Sequence, residues 1–102
     1  MSVLAEVLST NPARIYGLYP KKGVIAPGSD ADFVLVDPGR REVISAATQH
    51  STATYSLYEG REVTGWPVLS TVRGEIVLED GALQQQPGFG KYQHRSLREP
   101  TR

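Results

Sequence analysis

Short apolar runs, each closed by a glycine- or proline-containing turn, follow one another along the middle of this chain. Residues 33–36 are all apolar, and the turn-forming sequence of residues 37–39 follows them at once. Two further runs, residues 68–73 and 75–79, stand on either side of Gly74. Such alternation between turns is typical of short strands. We therefore expect a small, mainly antiparallel β-sheet, with Gly74 in a tight hairpin or in a glycine bulge.

The first eighteen residues show a helical pattern instead. Leu4 and Leu8 lie on one face of a helix, four positions apart. Asn11 followed by Pro12 is typical of a helix start. The Asn side chain accepts a hydrogen bond from a free amide of the first helical turn, and the N–H group that Pro lacks would have no partner at that position. Residues 2–18 are thus predicted to form two short helices. The predicted fold class is α+β, with short N-terminal helices followed by the sheet.

The connecting segments can be assigned from their turn residues. Pro27-Gly28 fits a type II turn, which favours Pro at its first central position and Gly at its second. Residues 41–45 are predicted to form another short strand, and residues 46–58 a long connection. The segment after Leu83 has no period, so we expect a loop there and a partly ordered tail.

The length of the chain limits the architecture. An eight-stranded α/β barrel takes roughly 200 residues or more, and this chain has 102. It contains no cysteine, and no apolar run approaches the roughly 18 residues that a membrane-spanning helix needs. We expect a cytoplasmic protein that forms a single domain or a fragment of one, with no membrane partner.

The charge balance argues against nucleic acid as a partner. Eleven basic and 11 acidic residues cancel, so the chain carries no global positive field. Residues 91–102 hold four basic groups and one acidic group, which form a short basic tail. A solvated terminus is the usual meaning of such a tail. Nucleic-acid binding through it is the weaker interpretation.

No residues group into a catalytic or metal site. His50 and His94 are far apart in segments without regular pattern, and zinc would need further ligands converging on them. Asp30 and Asp32 lack the frame of a calcium loop. They are predicted to accept bonds from the backbone amides of the turn that begins the strand. We therefore predict no catalytic residue, no metal ligand and no cofactor in this chain.

The order of motifs nevertheless resembles a known family. Residues 9–38 resemble the C-terminal part of cyclic amidohydrolases of the hydantoinase and dihydropyrimidinase type. Within them, Gly23 to Asp37 looks like the C-terminal signature of the wider amidohydrolase superfamily. Tyr58-Glu59-Gly60, Thr64-Gly65-Trp66-Pro67 and Pro87-Gly88-Phe89-Gly90-Lys91-Tyr92 are similar to the hydantoinase branch in particular.

The resemblance implies a structural role. Family members use a two-metal zinc site of histidines, a carboxylated lysine and an aspartate, all upstream of the matched segment. The chain alone is therefore predicted to be inactive. Residues 1–18 correspond to barrel-flanking helices, residues 19–83 to strands of the family's β-sandwich and residues 84–102 to a terminal arm, with no complete barrel.

The same resemblance implies missing partners. In the family, strands from the N-terminus complete the sandwich, so a sheet edge is expected to stay unpaired here. We expect self-association, or association with the missing catalytic barrel portion. The candidate assembly contacts are Trp66, Phe89, Tyr92 and Arg95. The alternative is a stand-alone protein-interaction module that uses the sheet edge and the basic C-terminal tail.

Overall fold

The computed structural model describes residues 1–96, which form an N-terminal helix and one antiparallel sheet. The strands are β1 (Phe33–Val43), β2 (Glu62–Val72), β3 (Glu75–Glu79) and β4 (Ala82–Leu83). They lie in the order β1-β2-β3-β4, and the sheet is open. The predicted α+β class without a closed barrel is therefore confirmed. The last six residues of the predicted terminal arm lie outside the described residues.

The helix is continuous, but its hydrogen-bond register changes in the middle. An α-helical turn, α1 (Ser2–Ala5), leads into a π-helical segment (Glu6–Thr10) and then into α2 (Asn11–Ile15). None of the helices among the described residues is long and apolar enough to cross a membrane.

The predicted start of a second helix at Asn11 is wrong. Asn11 has helical dihedral angles, and its amide donates to the Glu6 carbonyl five residues earlier. Pro12 has no amide with which to continue the α-helical pattern, and its ring crowds the carbonyl four residues back. A π-helical turn before it relieves that conflict. The same residues therefore continue one helix.

The loop after the helix folds back onto it. The Thr10 Oγ1 donates a hydrogen bond to the Gly23 carbonyl at 2.7 Å. Gly23 has φ +86°, and a Cβ at that position would lie 2.5 Å from the Cβ of Ala13, which is buried. The loop therefore needs glycine at this contact, both for its backbone angle and for its close approach. Regular pairing begins only at Phe33, so residues 19–32 of the segment assigned to the sandwich strands form a loop.

β1 is longer than predicted. Residues 37–39 do not close it, and residues 41–43 belong to the same strand rather than to a separate one. Asp37 pairs with Trp66 and Arg41 pairs with Thr64, with a register shift between the two pairs. Pro38 is tolerated because β1 is an edge strand and the ladder is already irregular there.

Two predicted turns are present in the structure. Arg73 and Gly74, with φ of 52° and 79°, connect β2 to β3. Positive φ at both central residues is the mark of a type I′ hairpin, so the hairpin interpretation of Gly74 is confirmed. The turn at Pro27-Gly28 also has the expected bond, from the Ser29 amide to the Ala26 carbonyl at 3.1 Å.

The structure has very little core. Among the described residues only Ala13 and Thr71 are buried. The accessible surface is 8291 Å², whereas a compact monomer of this mass exposes about 5,700 Å². Much apolar surface therefore lies open to solvent.

Candidate assembly surface

β1 exposes a run of apolar side chains at the edge of the sheet. Val34, Leu35 and Val36 are 53%, 50% and 41% exposed. Consecutive residues of a strand point to opposite faces, so both faces of β1 are open here. β1 is also the terminal strand of the sheet, and within residues 1–96 nothing pairs with its outer edge. Natural edge strands are usually short, charged or covered, and this apolar stretch is none of these.

A cleft of about 660 Å³ lies beside this edge, between the N-terminal helix and the sheet. Ala5 borders it from the helix, Ile25 from the loop, and Phe33 and Val34 from β1. Ile25 is 84% exposed although it is strongly apolar.

A cluster of four residues fixes the start of β1 to the β2–β3 turn. We call Lys22, Asp30, Asp32 and Arg73 the Lys22 cluster. The Lys22 Nζ lies 2.6 Å from the Asp32 Oδ2 and 2.9 Å from the Asp30 Oδ2. The Asp30 Oδ2 is screened from solvent and forms an ion pair rather than a directed hydrogen bond. The other Asp32 oxygen accepts from the Arg73 amide at 2.8 Å.

These contacts keep the side chains of Asp32 and Lys22 ionised. Burial, the largest single influence, acts to raise the pKa of Asp32, but the bonds from Lys22 and the Arg73 amide together hold it below its usual value. Burial likewise acts to lower the pKa of Lys22, and the two carboxylates outweigh it and raise that pKa. The cluster therefore stabilises the fold through its ion pairs and the bond to the Arg73 amide.

The prediction for Asp30 and Asp32 is correct only in kind. Asp32 does accept from a backbone amide, but from Arg73 in a distant hairpin and not from its own turn. Asp30 forms an ion pair with Lys22, which the sequence prediction missed. In the sequence, the signal for these contacts is an Asp-x-Asp pattern with a nearby Lys. That pattern does not show that Asp32 contacts the hairpin turn at Arg73.

The histidines do not form part of a metal site in the described part of the chain. The His50 Nε2 lies 2.7 Å from the Gly81 carbonyl oxygen. The His94 ring packs edge-on against Tyr92, with ring centres 4.9 Å apart. Across residues 1–96, no group of three or more His, Cys, Asp or Glu side chains is placed to hold a metal ion. The donor set therefore does not fit the family's two-metal site.

Trp66 lies near the middle of β2, six residues before Val72 at the end that leads to the Arg73 turn. Its side chain is half-buried, and it pairs across the sheet with Asp37. It borders a polar cavity of about 450 Å³ together with Arg40 and His50. Arg40 is held there by Glu42, with Nε and Oε1 2.7 Å apart.

The other three predicted assembly contacts lie on the segment after β4. Phe89 is half-buried against the guanidinium of Arg73. Tyr92 is 83% exposed, and Arg95 is exposed as well. Trp66 therefore lies in β2, the other three candidates lie on the segment after β4, and none of them lies on β1. Their role as assembly contacts stays a prediction.

Comparisons with known proteins agree with this architecture. Residues 2–77 match the model of the amidohydrolase family. The D-hydantoinase of Geobacillus stearothermophilus is 44% identical over 96 residues, which are 94% of this chain and 20% of that protein. The dihydropyrimidinase of Rattus norvegicus is 45% identical over 86 residues, or 84% of this chain and 17% of that protein.

The fold agrees as well. A solved D-hydantoinase structure superposes with a TM-score of 0.89 at 39% sequence identity, covering 93% of this chain and 21% of that one. The chain spans about a fifth of the length of the relatives it matches. Since the family model covers well over half of its residues, the chain belongs to the amidohydrolase family.

Proposed function

We propose that this chain is the C-terminal sandwich and assembly portion of a cyclic amidohydrolase of the hydantoinase and dihydropyrimidinase type. The names of its relatives and the shared fifth of their length support this. The parent reaction hydrolyses a cyclic amide C–N bond. The described residues offer no ligand set for the family's zinc, so the proposal assigns this chain no catalytic step and no activity of its own.

The partner we propose is the catalytic barrel portion, on the same polypeptide or on a separate one. The observation that carries the proposal is the exposure of Val34, Leu35 and Val36 on both faces of an unpaired edge. A strand added to this edge would bond to its free backbone groups and bury the three side chains. Without that partner, two copies of the chain pair through the same edge.

The alternative, a stand-alone interaction module, is not favoured. The relatives and the solved structure described above carry the names D-hydantoinase and dihydropyrimidinase, which are names of enzymes and not of interaction modules. A cytoplasmic location remains part of the proposal, supported by the absence of cysteine.

Reconstitution of activity tests the proposal. The D-hydantoinase of Geobacillus stearothermophilus, shortened by the segment that matches this chain, is mixed with the purified chain and assayed for hydantoin hydrolysis. That enzyme's own detached segment serves as the positive control. We expect no hydrolysis by this chain alone and restored hydrolysis in the mixture. Hydrolysis by the chain alone, or no restoration where the positive control succeeds, would contradict the proposal.

A matched pair of variants identifies the surface. Val34→Lys places a charge on the β1 edge, and Leu57→Lys places the same charge on the exposed connection between β1 and β2. We expect Val34→Lys to abolish restoration and Leu57→Lys to leave it intact, because a lysine blocks strand addition only at an edge. Equal effects of the two variants would contradict the role of the edge.

A further inference from the structure

The segment after β4 returns across two distant parts of the fold. At its start, the Gln84 amide donates to the Val77 carbonyl at 2.9 Å. At the end of its described part, the Ser96 amide donates to the Gly17 carbonyl, also at 2.9 Å. We call residues 84–96 the docked arm. It has no regular secondary structure, so these few bonds and its side-chain contacts determine whether it stays in place.

One side chain makes the main contact in the middle of the docked arm. The guanidinium carbon of Arg73 lies 4.5 Å from the centre of the Phe89 ring. The Arg73 Nη2 also donates a hydrogen bond to the Phe89 carbonyl oxygen. Arginine can make both contacts at once because its guanidinium is planar and carries several donors.

The backbone of Arg73 is unusual for its residue type. It has a φ of 52° at the first central position of the β2–β3 turn. Asn, Asp and Gly are the common residues there, since other side chains lose energy in the left-handed region. Its amide is held by the Asp32 carboxylate. The Asp32 carboxylate thus holds Arg73 at a turn position that arginine does not favour, and the Arg73 side chain reaches the docked arm.

We propose that Arg73 is a latch for the docked arm, and that the arm opens locally when the contact between Arg73 and Phe89 breaks while the sheet stays folded. Tyr92 and Arg95 lie on the docked arm between Phe89 and Ser96, so they move with the arm when it opens. The latch concerns the fold of this chain and does not depend on the proposed function. Arms held by few contacts are among the parts of a protein that open with the lowest free energy.

Amide hydrogen exchange measured by NMR tests the latch. Arg73→Lys keeps the charge but removes the planar group, and Arg61→Lys makes the same change at a second arginine, 5.8 Å from the Tyr58 ring. In Arg73→Lys we expect roughly ten-fold faster exchange at the amides of Phe89 and Ser96. In Arg61→Lys we expect these two amides to exchange at the wild-type rate. The amides of β2 and β3 should exchange at the wild-type rate in both variants.

A second variant separates the latch from the turn. Arg73→Asn takes positive φ more readily than arginine, so it preserves the hairpin while it removes the contact with Phe89. We expect it to release the docked arm as Arg73→Lys does, with no loss of sheet protection. Unchanged exchange at Phe89 and Ser96 in both Arg73 variants would overturn the proposal. So would faster exchange spread equally over β2, β3 and the arm.

Discussion

The Asp32 carboxylate accepts a hydrogen bond from the backbone amide of Arg73 at 2.8 Å, although 41 positions separate the two residues. The same carboxylate pairs with Lys22 through its other oxygen. One side chain therefore joins the loop after the helix, the start of β1 and the turn between β2 and β3. In a chain with almost no buried core, such a junction carries more of the stability than it would in a well-packed domain.

Replacement of Asp32 by Asn should destabilise the fold by about 1–2 kcal/mol. The amide group loses the charge that pairs with Lys22 and weakens the bond from the Arg73 amide. Asp37→Asn is the matched control, because the Asp37 Oδ1 accepts only the local bond from Gly39 at 3.0 Å. Urea unfolding of the two variants measures the difference. Equal losses in both would show that the long-range bond contributes nothing.

The stability of the cluster should depend on pH at both extremes. The folded-state pKa of Asp32 lies below its unfolded value. Its contribution is therefore complete above about pH 4 and is lost as pH falls through the folded pKa. The folded-state pKa of Lys22 is raised, so its contribution is complete below about pH 10 and is lost as pH rises through the folded pKa.

Urea midpoints for the wild type and Asp32→Asn, measured at neutral pH and at about pH 2.5, test the acid limb. The gap in urea midpoint between the two proteins should be smaller in acid, because Asp32 becomes protonated in the unfolded chain there and its charge contributes less stability. A gap of the same size at both pH values would refute the ion pair as its source.

Gly23→Ala should cost about 2–4 kcal/mol, because a methyl group there meets the Ala13 side chain and the backbone has positive φ. Gly28→Ala is the control, since its φ is +89° but nothing lies within 4 Å of the added carbon. It should cost only about 1 kcal/mol, from the backbone alone. Thermal unfolding followed by circular dichroism gives both values. If the two variants melt together, the loop does not pack on the helix as described.

Much of the fold could be predicted from local patterns. The apolar run at residues 33–36 lies in a strand, as predicted. The two strand-like runs on either side of Gly74, together with the glycine itself, predict the hairpin that the structure shows. Turn signals in the local sequence gave the wrong end for β1, because pairing with a distant strand outweighed them. Residues 37–39 look like a closing turn, but pairing of Asp37 with Trp66 and of Arg41 with Thr64 carries β1 past them.

The candidate surface was harder to predict than the fold. The assembly contacts Trp66, Phe89, Tyr92 and Arg95 stay a prediction, and none of them lies on β1. The edge of β1 consists of ordinary apolar residues that any strand could bury. Only the strand order, with β1 at the end of the sheet, shows that the backbone groups on the outer side of β1 have no partner among the described strands.

Light scattering after size-exclusion chromatography tests most directly whether the β1 edge is an unfilled pairing surface. At about 100 μM, the purified wild-type chain should elute as a dimer or larger species of the 11.2 kDa chain. The double variant Val34→Lys, Val36→Lys should elute as a monomer with the same circular dichroism spectrum. A wild-type chain that stays monomeric at that concentration would contradict the account.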